Sequence, residues 1–180
     1  MKSKQLKLAV VSAVFAALVF VLTYTLKVPT PTGYVHIGDA AIYLAACVLP
    51  TPYALVAAGL GGALSDLLGG YMQYVLPTFI IKALLTLVFT SKNEKMIGKR
   101  NLIALIPATA ITVVGYYLTH AVLISVSAES FFAAFFSGTT WVSALSSIPG
   151  DAVQAVTCAI VFVILGFALD KLGFKKRLKL

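Results

Sequence analysis

A few ionisable side chains occur inside long apolar stretches of this 180-residue sequence. Asp66 follows a run of small residues, Lys82 lies five residues after a proline, and Asp151 and Gln154 follow another proline. A charge near the centre of a bilayer costs roughly 2.5 to 3.5 kcal/mol to insert, so these groups need partners, water or a short path to the lipid headgroups. Their occurrence in separate stretches predicts one polar cavity shared by several helices.

Aromatic and imidazole side chains are predicted to complete this cavity. Tyr74, Tyr116 and His120 lie near the same ends of the predicted helices as the charged groups. Aromatic rings would stack against a flat ligand, while the charged and amide side chains would hold its polar edge.

Each charged group also has an explanation that needs no ligand. Asp151 would stabilise the positive N-terminal end of its helix, Asp39 would cap the second predicted helix, and Lys82 would extend to the lipid headgroups. The sequence leaves these alternatives open for each residue, whereas a shared cavity accounts for the charges together.

The overall composition excludes a soluble domain. Apolar residues make up 60% of the chain and Asp, Glu, Lys and Arg only 11%, whereas soluble domains carry roughly 25% charged residues. The mean hydropathy of +0.98 reflects several apolar stretches long enough to cross a bilayer. The sequence therefore predicts an all-α integral membrane protein.

The net charge of +8 arises mainly from basic clusters between the apolar stretches. Twelve of the fourteen basic residues lie in three clusters, at residues 2–7, 92–100 and 171–179. The only aromatic residue within these clusters is Phe174, and basic clusters that directly adjoin apolar stretches indicate the cytoplasmic side of a membrane. We therefore expect both termini in the cytoplasm, contact with the lipid bilayer, and no nucleic-acid partner.

Prolines and glycines divide the chain into six predicted transmembrane helices that form a single domain, residues 1–180. The predicted bounds are Leu6–Leu26, Gly38–Leu49, Tyr53–Leu68, Pro77–Thr90, Leu102–Ile124 and Pro149–Leu169. The second and fourth helices are short for a hydrocarbon core roughly 30 Å thick, which favours helices that end against a cavity or lean on their neighbours. The Pro29–Gly33 segment is predicted to be a loop.

Two further patterns allow a structural or a functional interpretation. Ala9, Ala13 and Ala17 form a stripe of small residues that favours close approach of a helix, either within this chain or from a partner. The Ser125–Ser147 segment contains four phenylalanines and Trp141 but no basic residue. This segment is predicted to be an interfacial helix with an aromatic belt or, alternatively, a lid over an outward-facing pocket.

Motifs for covalent chemistry are absent from the sequence. It contains no Walker A loop, HExxH motif or GxSxG motif. Cys47 and Cys158 lie in apolar stretches without a CxxC partner or a nearby histidine, so neither a metal site nor a disulfide is predicted. We therefore expect no catalytic residue and no cofactor, which leaves a binding role.

Several segments together resemble one family of membrane proteins. These segments are the alanine stripe, Tyr34–Ala40, Gly59–Tyr71, Pro77–Lys82 and Ile148–Gln154. With them, the chain resembles the substrate-binding S components of energy-coupling factor (ECF) vitamin transporters over nearly its whole length.

The resemblance implies a six-helix protein in the plasma membrane of a prokaryote that binds a vitamin or vitamin precursor from outside. It also implies association with a membrane coupling protein and two cytoplasmic ATPase subunits, with Ala9, Ala13 and Ala17 as the contact face. The pocket would lie between the fourth, fifth and sixth helices. The Pro29–Ile37 loop would act as a lid, and His36 would join the substrate-binding residues.

The pattern is similar to the branch associated with hydroxymethylpyrimidine, pyridoxine or riboflavin-like substrates. Many relatives carry Asn where this chain has Asp151. A carboxylate there would pair with Lys82 or with a protonated ring nitrogen, whereas Asn offers only neutral hydrogen bonds. We therefore expect a small aromatic heterocycle, such as a pyrimidine or a B6 vitamer.

Two other classes of protein are alternatives. A structural membrane scaffold of the rod-shape-determining type would need no polar cavity and would leave Lys82, Asp66 and Asp151 unexplained. A self-sufficient secondary transporter or an intramembrane enzyme would need a proton relay or a catalytic motif, and the sequence contains neither.

Overall fold

Six main helices build the described part of the chain. The computed structural model describes residues 2–31 and 33–178. Three features of the sequence analysis lie outside the described residues. They are Thr32 of the predicted loop, Lys179 of the third basic cluster and the side chain of Lys2 in the first basic cluster. The main helices are α1 (Lys2–Thr25), α2 (Gly38–Val48), α3 (Thr51–Gly69), α4 (Val75–Leu87), α6 (Leu105–Val126) and α9 (Ile148–Lys171). The shorter helices are α5 (Lys99–Ile103), α7 (Phe131–Phe135), α8 (Gly138–Ala144) and α10 (Phe174–Leu178), with 3-10 turns at Met72–Tyr74 and Leu145–Ser147.

Four described helical stretches are long and apolar enough to cross a membrane. They are Ser3–Thr25, Thr51–Gly69, Lys99–Val126 and Gly138–Lys171. Two further apolar stretches, Gly38–Val48 and Met72–Leu87, are shorter. The second and fourth predicted helices are therefore short in the structure as well.

The short helix α2 lies inside the bundle. All of its residues from Gly38 to Val48 are buried, and it packs against α1, α3, α4 and α9. Because other helices surround α2, it does not need the length of a lipid-exposed span. The Tyr43 ring stacks on Phe89, with centroids 4.9 Å apart, and meets Phe162 edge-on in the apolar core.

Small residues in α3 let two neighbouring helices approach closely. A Cβ atom on Gly61 would lie 2.6 Å from the Ala16 carbonyl oxygen of α1, and one on Gly62 would lie 2.9 Å from Lys82 Cγ of α4. The helix ends where Gly70 adopts a φ of 82°, which glycine allows at little cost. These contacts fix α3 between α1 and α4.

The segment after α1 is a β-hairpin and not the predicted loop. Strand β1 (Lys27–Thr30) pairs antiparallel with β2 (Gly33–His36), and Val28 lies opposite Val35. Pro29 obscured the strand signal, because proline lacks the N–H group that a strand ladder uses.

The end of the bundle away from the hairpin is held by hydrogen bonds. Asp170 accepts bonds from the backbone N–H groups of Met96 and Ile97, both 2.9 Å long. Lys175 donates to two backbone carbonyls of the same connection, at 2.8 and 2.6 Å. The connection between α4 and α5 is thereby fixed to the C-terminal end of α9 and to α10.

The Ser125–Ser147 segment forms two short helices instead of the single predicted interfacial helix. Trp141 Nε1 donates to the Phe135 carbonyl oxygen at 2.8 Å, and the two rings pack edge to face. Both α7 and α8 contact α6, while Phe132 and Phe136 are 71% and 79% exposed. Exposed aromatic rings of this kind suit the boundary between lipid and water.

Candidate functional site

A cavity opens at the hairpin end of the bundle, between α4, α6 and α9. The space, including solvent at its open mouth, is about 470 Å³. Only a small part of it is wide enough for water molecules, so the cavity is narrow. Its walls come from the hairpin, from six helical segments and from the connection after α3: Thr30, Gly33, Tyr34, Val35, His36, Asp66, Tyr71, Tyr74, Thr78, Tyr116, His120, Ser147, Gly150, Asp151 and Gln154.

The β-hairpin covers the cavity and is bonded to α3. The Tyr34 hydroxyl donates to Asp66 Oδ1 at 2.5 Å. Burial and the Asp66 carboxylate raise the pKa of Tyr34, so the hydroxyl keeps its proton as a donor. Lys27 lies among the rings of Tyr24, Tyr34 and Tyr71, 4.9 to 5.5 Å from their centroids, where cation–π attraction stabilises it. These contacts hold the hairpin against α3 and against the connection from α3 to α4.

A buried polar network lies behind the cavity. Lys82 Nζ is 2.8 Å from Asp39 Oδ1 and donates to Asp39 Oδ2 at 3.0 Å, and neither side chain is exposed. Gln154 Nε2 donates to the same Oδ2 at 3.2 Å, and Gln154 Oε1 accepts from the His36 backbone N–H at 3.2 Å. The network connects α2, α4 and α9 to the hairpin, and Asp39 neutralises the charge of Lys82.

His36 is held as a neutral imidazole. Its Nδ1 accepts a hydrogen bond from the Gly38 backbone N–H at 3.0 Å, which assigns the ring proton to Nε2. Burial, together with the nearby Lys82 cation, lowers the pKa of His36 from 6.5 to about 3. The ring therefore contributes no positive charge to the cavity at neutral pH.

The remaining walls carry hydroxyl groups and aromatic rings. Tyr74 Oη lies 3.5 Å from His120 Nδ1, and Thr78 Oγ1 lies 3.2 Å from Tyr116 Oη. The Lys82 ammonium group lies 5.1 Å from the centroid of the Tyr116 ring. These walls offer flat apolar surfaces with polar edges, which suits a planar heterocyclic ligand.

The structure brings seven of the eight predicted substrate-binding residues to this cavity: His36, Asp66, Tyr74, Tyr116, His120, Asp151 and Gln154. The eighth, Lys82, lies behind the cavity wall and is fully buried. The alternative that Lys82 extends to the lipid headgroups is therefore wrong. The pairing of Lys82 with Asp151 is also wrong, because Asp39 is the partner of Lys82. Asp39 does not cap α2, since Ile37 holds the N-cap position. Asp151 lies in the first turn of α9, where it also adjoins the positive helix end.

Asp39 is a site residue to which the sequence analysis assigned only a helix-capping role; Tyr34, Thr78 and Ser147 also belong to the site and were not predicted. Asp39 lies 43 positions from Lys82 along the chain, so no local spacing connects the two. One signal in the sequence does indicate Asp39. A lysine inside an apolar helix needs a carboxylate partner, and the chain offers only six acidic residues as candidates.

The alanine stripe lies away from the cavity. Ala9, Ala13 and Ala17 are exposed along α1, and the first two also line an apolar groove between α1 and α3. The close contact between α1 and α3 is made by Gly61 with Ala16 and Val19, and not by the three alanines of the stripe.

Other predicted features also lie outside the cavity. Cys47 and Cys158 are buried free thiols. Within residues 2–31 and 33–178, no group of three or more His, Cys, Asp or Glu side chains is arranged to hold a metal ion. Of the Ser125–Ser147 segment, only Ser147 is a cavity-lining residue.

Comparison with known proteins supports a transporter subunit. A family model described as "ECF-type riboflavin transporter, S component" matches residues 3–171. One similar solved structure is described as "Structure and mechanism of the S component of a bacterial ECF transporter". The two chains are 23% identical, the match covers 93% of this chain and 98% of that chain, and the TM-score is 0.68. This likeness concerns the fold. No curated protein sequence matches the chain.

The S components of ECF transporters are multi-pass membrane proteins that bind a vitamin and work with an energy-coupling module, and they are not enzymes. The family match extends over nearly the whole length of this chain. The chain therefore belongs to the family of ECF-type riboflavin transporter S components.

Proposed function

We propose that this protein is the substrate-specific subunit of an ATP-driven importer for a vitamin or vitamin precursor that is a small aromatic heterocycle. The cavity beneath the β-hairpin is the observation that carries this proposal. Its tyrosine rings suit a planar ligand, and its carboxylates, hydroxyls and amide suit the polar groups at the edge of such a ligand.

We further propose that residues 1–180 form one domain with six membrane spans and both termini in the cytoplasm. The hydrogen bonds of Asp170 and Lys175 support this topology, because they bring the second and third basic clusters to one end of the bundle. The start of α1 carries the first cluster, while the end of α1 leads into the hairpin at the opposite end. The cavity then opens outward, away from the basic residues.

The narrowness of the cavity favours a single-ring ligand. The cavity has room for only a few water molecules, so it must widen before any aromatic ring can enter. A smaller ring requires a smaller movement of the hairpin. Hydroxymethylpyrimidine and B6 vitamers therefore fit this cavity with less rearrangement than the three-ring system of riboflavin.

The predicted residues take two roles in this proposal. The seven that line the cavity contact the ligand directly: His36, Asp66, Tyr74, Tyr116, His120, Asp151 and Gln154. Lys82 supports the site from behind by fixing Asp39, which orients Gln154.

The energising partners are a membrane coupling protein and two cytoplasmic ATPase subunits. The exposed stripe of Ala9, Ala13 and Ala17 supports a docking role on α1, because small side chains let another helix approach closely in lipid.

Ligand analysis tests the substrate class. The protein is purified in detergent, the bound small molecules are extracted and identified by mass spectrometry, and affinities for hydroxymethylpyrimidine, pyridoxine and riboflavin are measured by calorimetry. We expect one of the single-ring compounds to bind most tightly. Absence of binding to all three compounds, with nothing extracted, would favour the structural scaffold.

Co-purification tests the partner. Ala13→Leu is expected to weaken assembly with the coupling protein and the ATPases while leaving ligand affinity unchanged. Ala110→Leu, at an exposed position on α6, is the matched control. Equal assembly of both variants contradicts the docking role, and uptake into vesicles without ATPases would indicate a self-sufficient transporter.

A further inference from the structure

Two carboxylates of the cavity each present an oxygen that no hydrogen bond satisfies. Asp66 is 3% exposed, and its Oδ1 accepts from Tyr34 while its buried Oδ2 has no hydrogen-bond partner among the described residues. The Thr78 hydroxyl lies near this carboxylate, but it contacts Tyr116 at 3.2 Å and makes no hydrogen bond within 3.5 Å to Asp66 Oδ2. An unsatisfied buried acceptor is costly in a folded protein, so this oxygen is suited to receive a donor from a ligand.

The second carboxylate approaches from α9. Asp151 lines the cavity, and its Oδ2 is buried without a hydrogen-bond partner in the described part of the chain. Ser147, one helical turn earlier, also lines the cavity, and its buried hydroxyl lies near Asp151 but makes no hydrogen bond within 3.5 Å to a described residue. α3 and α9 thus each supply an acceptor that the protein does not use.

Among the described residues, no cation lines the cavity beside these carboxylates, and Lys27, which acts on Asp66 from outside the lining, lies against the rings of Tyr24, Tyr34 and Tyr71. None of the described lining residues is Lys or Arg. Lys82 is paired with Asp39, and His36 is neutral because its Nδ1 accepts from the Gly38 N–H. Within residues 2–31 and 33–178, no Lys or Arg nitrogen lies within 4.0 Å of Asp66 or Asp151.

We propose that the cavity selects a heterocycle that carries a positive charge or amino groups, which donate to Asp66 and Asp151, and that it rejects phosphorylated or carboxylated compounds. This inference rests on the proposed function and specifies the charge of its ligand. Charge-assisted hydrogen bonds are about twice as strong as neutral ones, and the surrounding tyrosine faces add cation–π attraction. An anion in the same place would face two carboxylates that have no described Lys or Arg nitrogen within 4.0 Å.

Two matched series of probes test this selection with the purified wild-type protein in detergent. The first is pyridoxamine, pyridoxine and 4-pyridoxic acid, which share one ring but carry an amine, a neutral hydroxymethyl group or a carboxylate. The second is hydroxymethylpyrimidine with its 4-amino group and the analogue with a 4-hydroxy group. In whichever series binds, we expect the amine to bind about tenfold more tightly than the neutral compound, and 4-pyridoxic acid to bind least.

Asp66→Asn and Asp151→Asn are expected to reduce the affinity for the amine several-fold more than the affinity for the neutral compound. Glu129→Gln, which removes an exposed carboxylate outside the cavity, is expected to change neither. The affinities of the wild-type protein for the two series of probes test the charge selection even if a variant fails to fold. Equal affinities for amine and acid, or binding of riboflavin alone, overturn the charge selection but leave the role as a vitamin-binding subunit of an importer intact. Failure of every probe, including riboflavin, overturns both.

Discussion

Lys82 and Asp39 form an ion pair with a 2.8 Å contact, and no part of either side chain is exposed. Removing one partner leaves an uncompensated buried charge, which costs about 3 to 5 kcal/mol. We therefore expect Lys82→Met to lower the thermal unfolding midpoint strongly. The double variant Lys82→Met with Asp39→Asn should recover much of this loss, because it removes both charges. Thermal unfolding in detergent measures the midpoints of the single and the double variant. A double variant no more stable than Lys82→Met contradicts the energetic coupling between Lys82 and Asp39.

The bond between Tyr34 and Asp66 is predicted to hold the hairpin closed. Tyr34→Phe removes the hydroxyl and keeps the ring, so we expect the backbone amides of the hairpin to exchange hydrogen about tenfold faster, the effect of losing one hydrogen bond. Hydrogen exchange followed by mass spectrometry measures this rate. Tyr117→Phe is the matched control, because its hydroxyl donates to Trp141 at 3.3 Å outside the hairpin. An unchanged hairpin rate in Tyr34→Phe would show that other contacts hold it.

His36 is predicted to make the fold sensitive to acid. Its pKa is lowered to about 3 by burial and by Lys82, whereas in the unfolded chain it is about 6.5. Above pH 6.5 His36 is neutral in both the folded and the unfolded protein, so its titration does not reduce the free energy of unfolding. As the pH falls below 6.5, only the unfolded chain takes up the proton, so stability declines progressively toward pH 3.

His36→Asn removes this titration. We expect the unfolding midpoint of the variant to fall less between about pH 7 and pH 5 than that of the wild-type protein. Differential scanning fluorimetry across this range provides the comparison. Parallel curves for the two proteins would mean that other groups account for the acid sensitivity.

Close contact between α1 and α3 predicts the effect of a single methyl group. In Gly61→Ala the new Cβ would lie 2.6 Å from the Ala16 carbonyl oxygen and 2.8 Å from Val19 Cβ, so the helices must separate at a cost of about 1 to 3 kcal/mol. Gly138→Ala is the control, since its Cβ would meet no atom within 4 Å. A lower unfolding midpoint is expected for the first variant only.

Helix positions followed well from the sequence, because prolines, glycines and the length of each apolar run are local signals. The sequence also placed Asp66, Asp151 and Gln154 near one end of the bundle, where they do line the cavity. The shared polar cavity is therefore a feature that local patterns and a helix count were able to predict.

Pairing between distant residues did not follow from the sequence. Asp39 appeared as a helix cap because it stands at the start of α2, and only the packing of α2 inside the bundle brings it to Lys82. The hairpin was missed for a different reason: Pro29 is typical of a loop, while the strand depends on pairing between Val28 and Val35. Both errors concern contacts that local patterns do not encode.

The aromatic core beneath the Lys82–Asp39 pair has a consequence for the cell. A hydrated ion that enters the cavity would meet the packed rings of Tyr43, Phe89 and Phe162, and shedding its water there is prohibitively costly. We therefore expect these packed rings to prevent ion leakage through the protein and so to preserve the membrane potential.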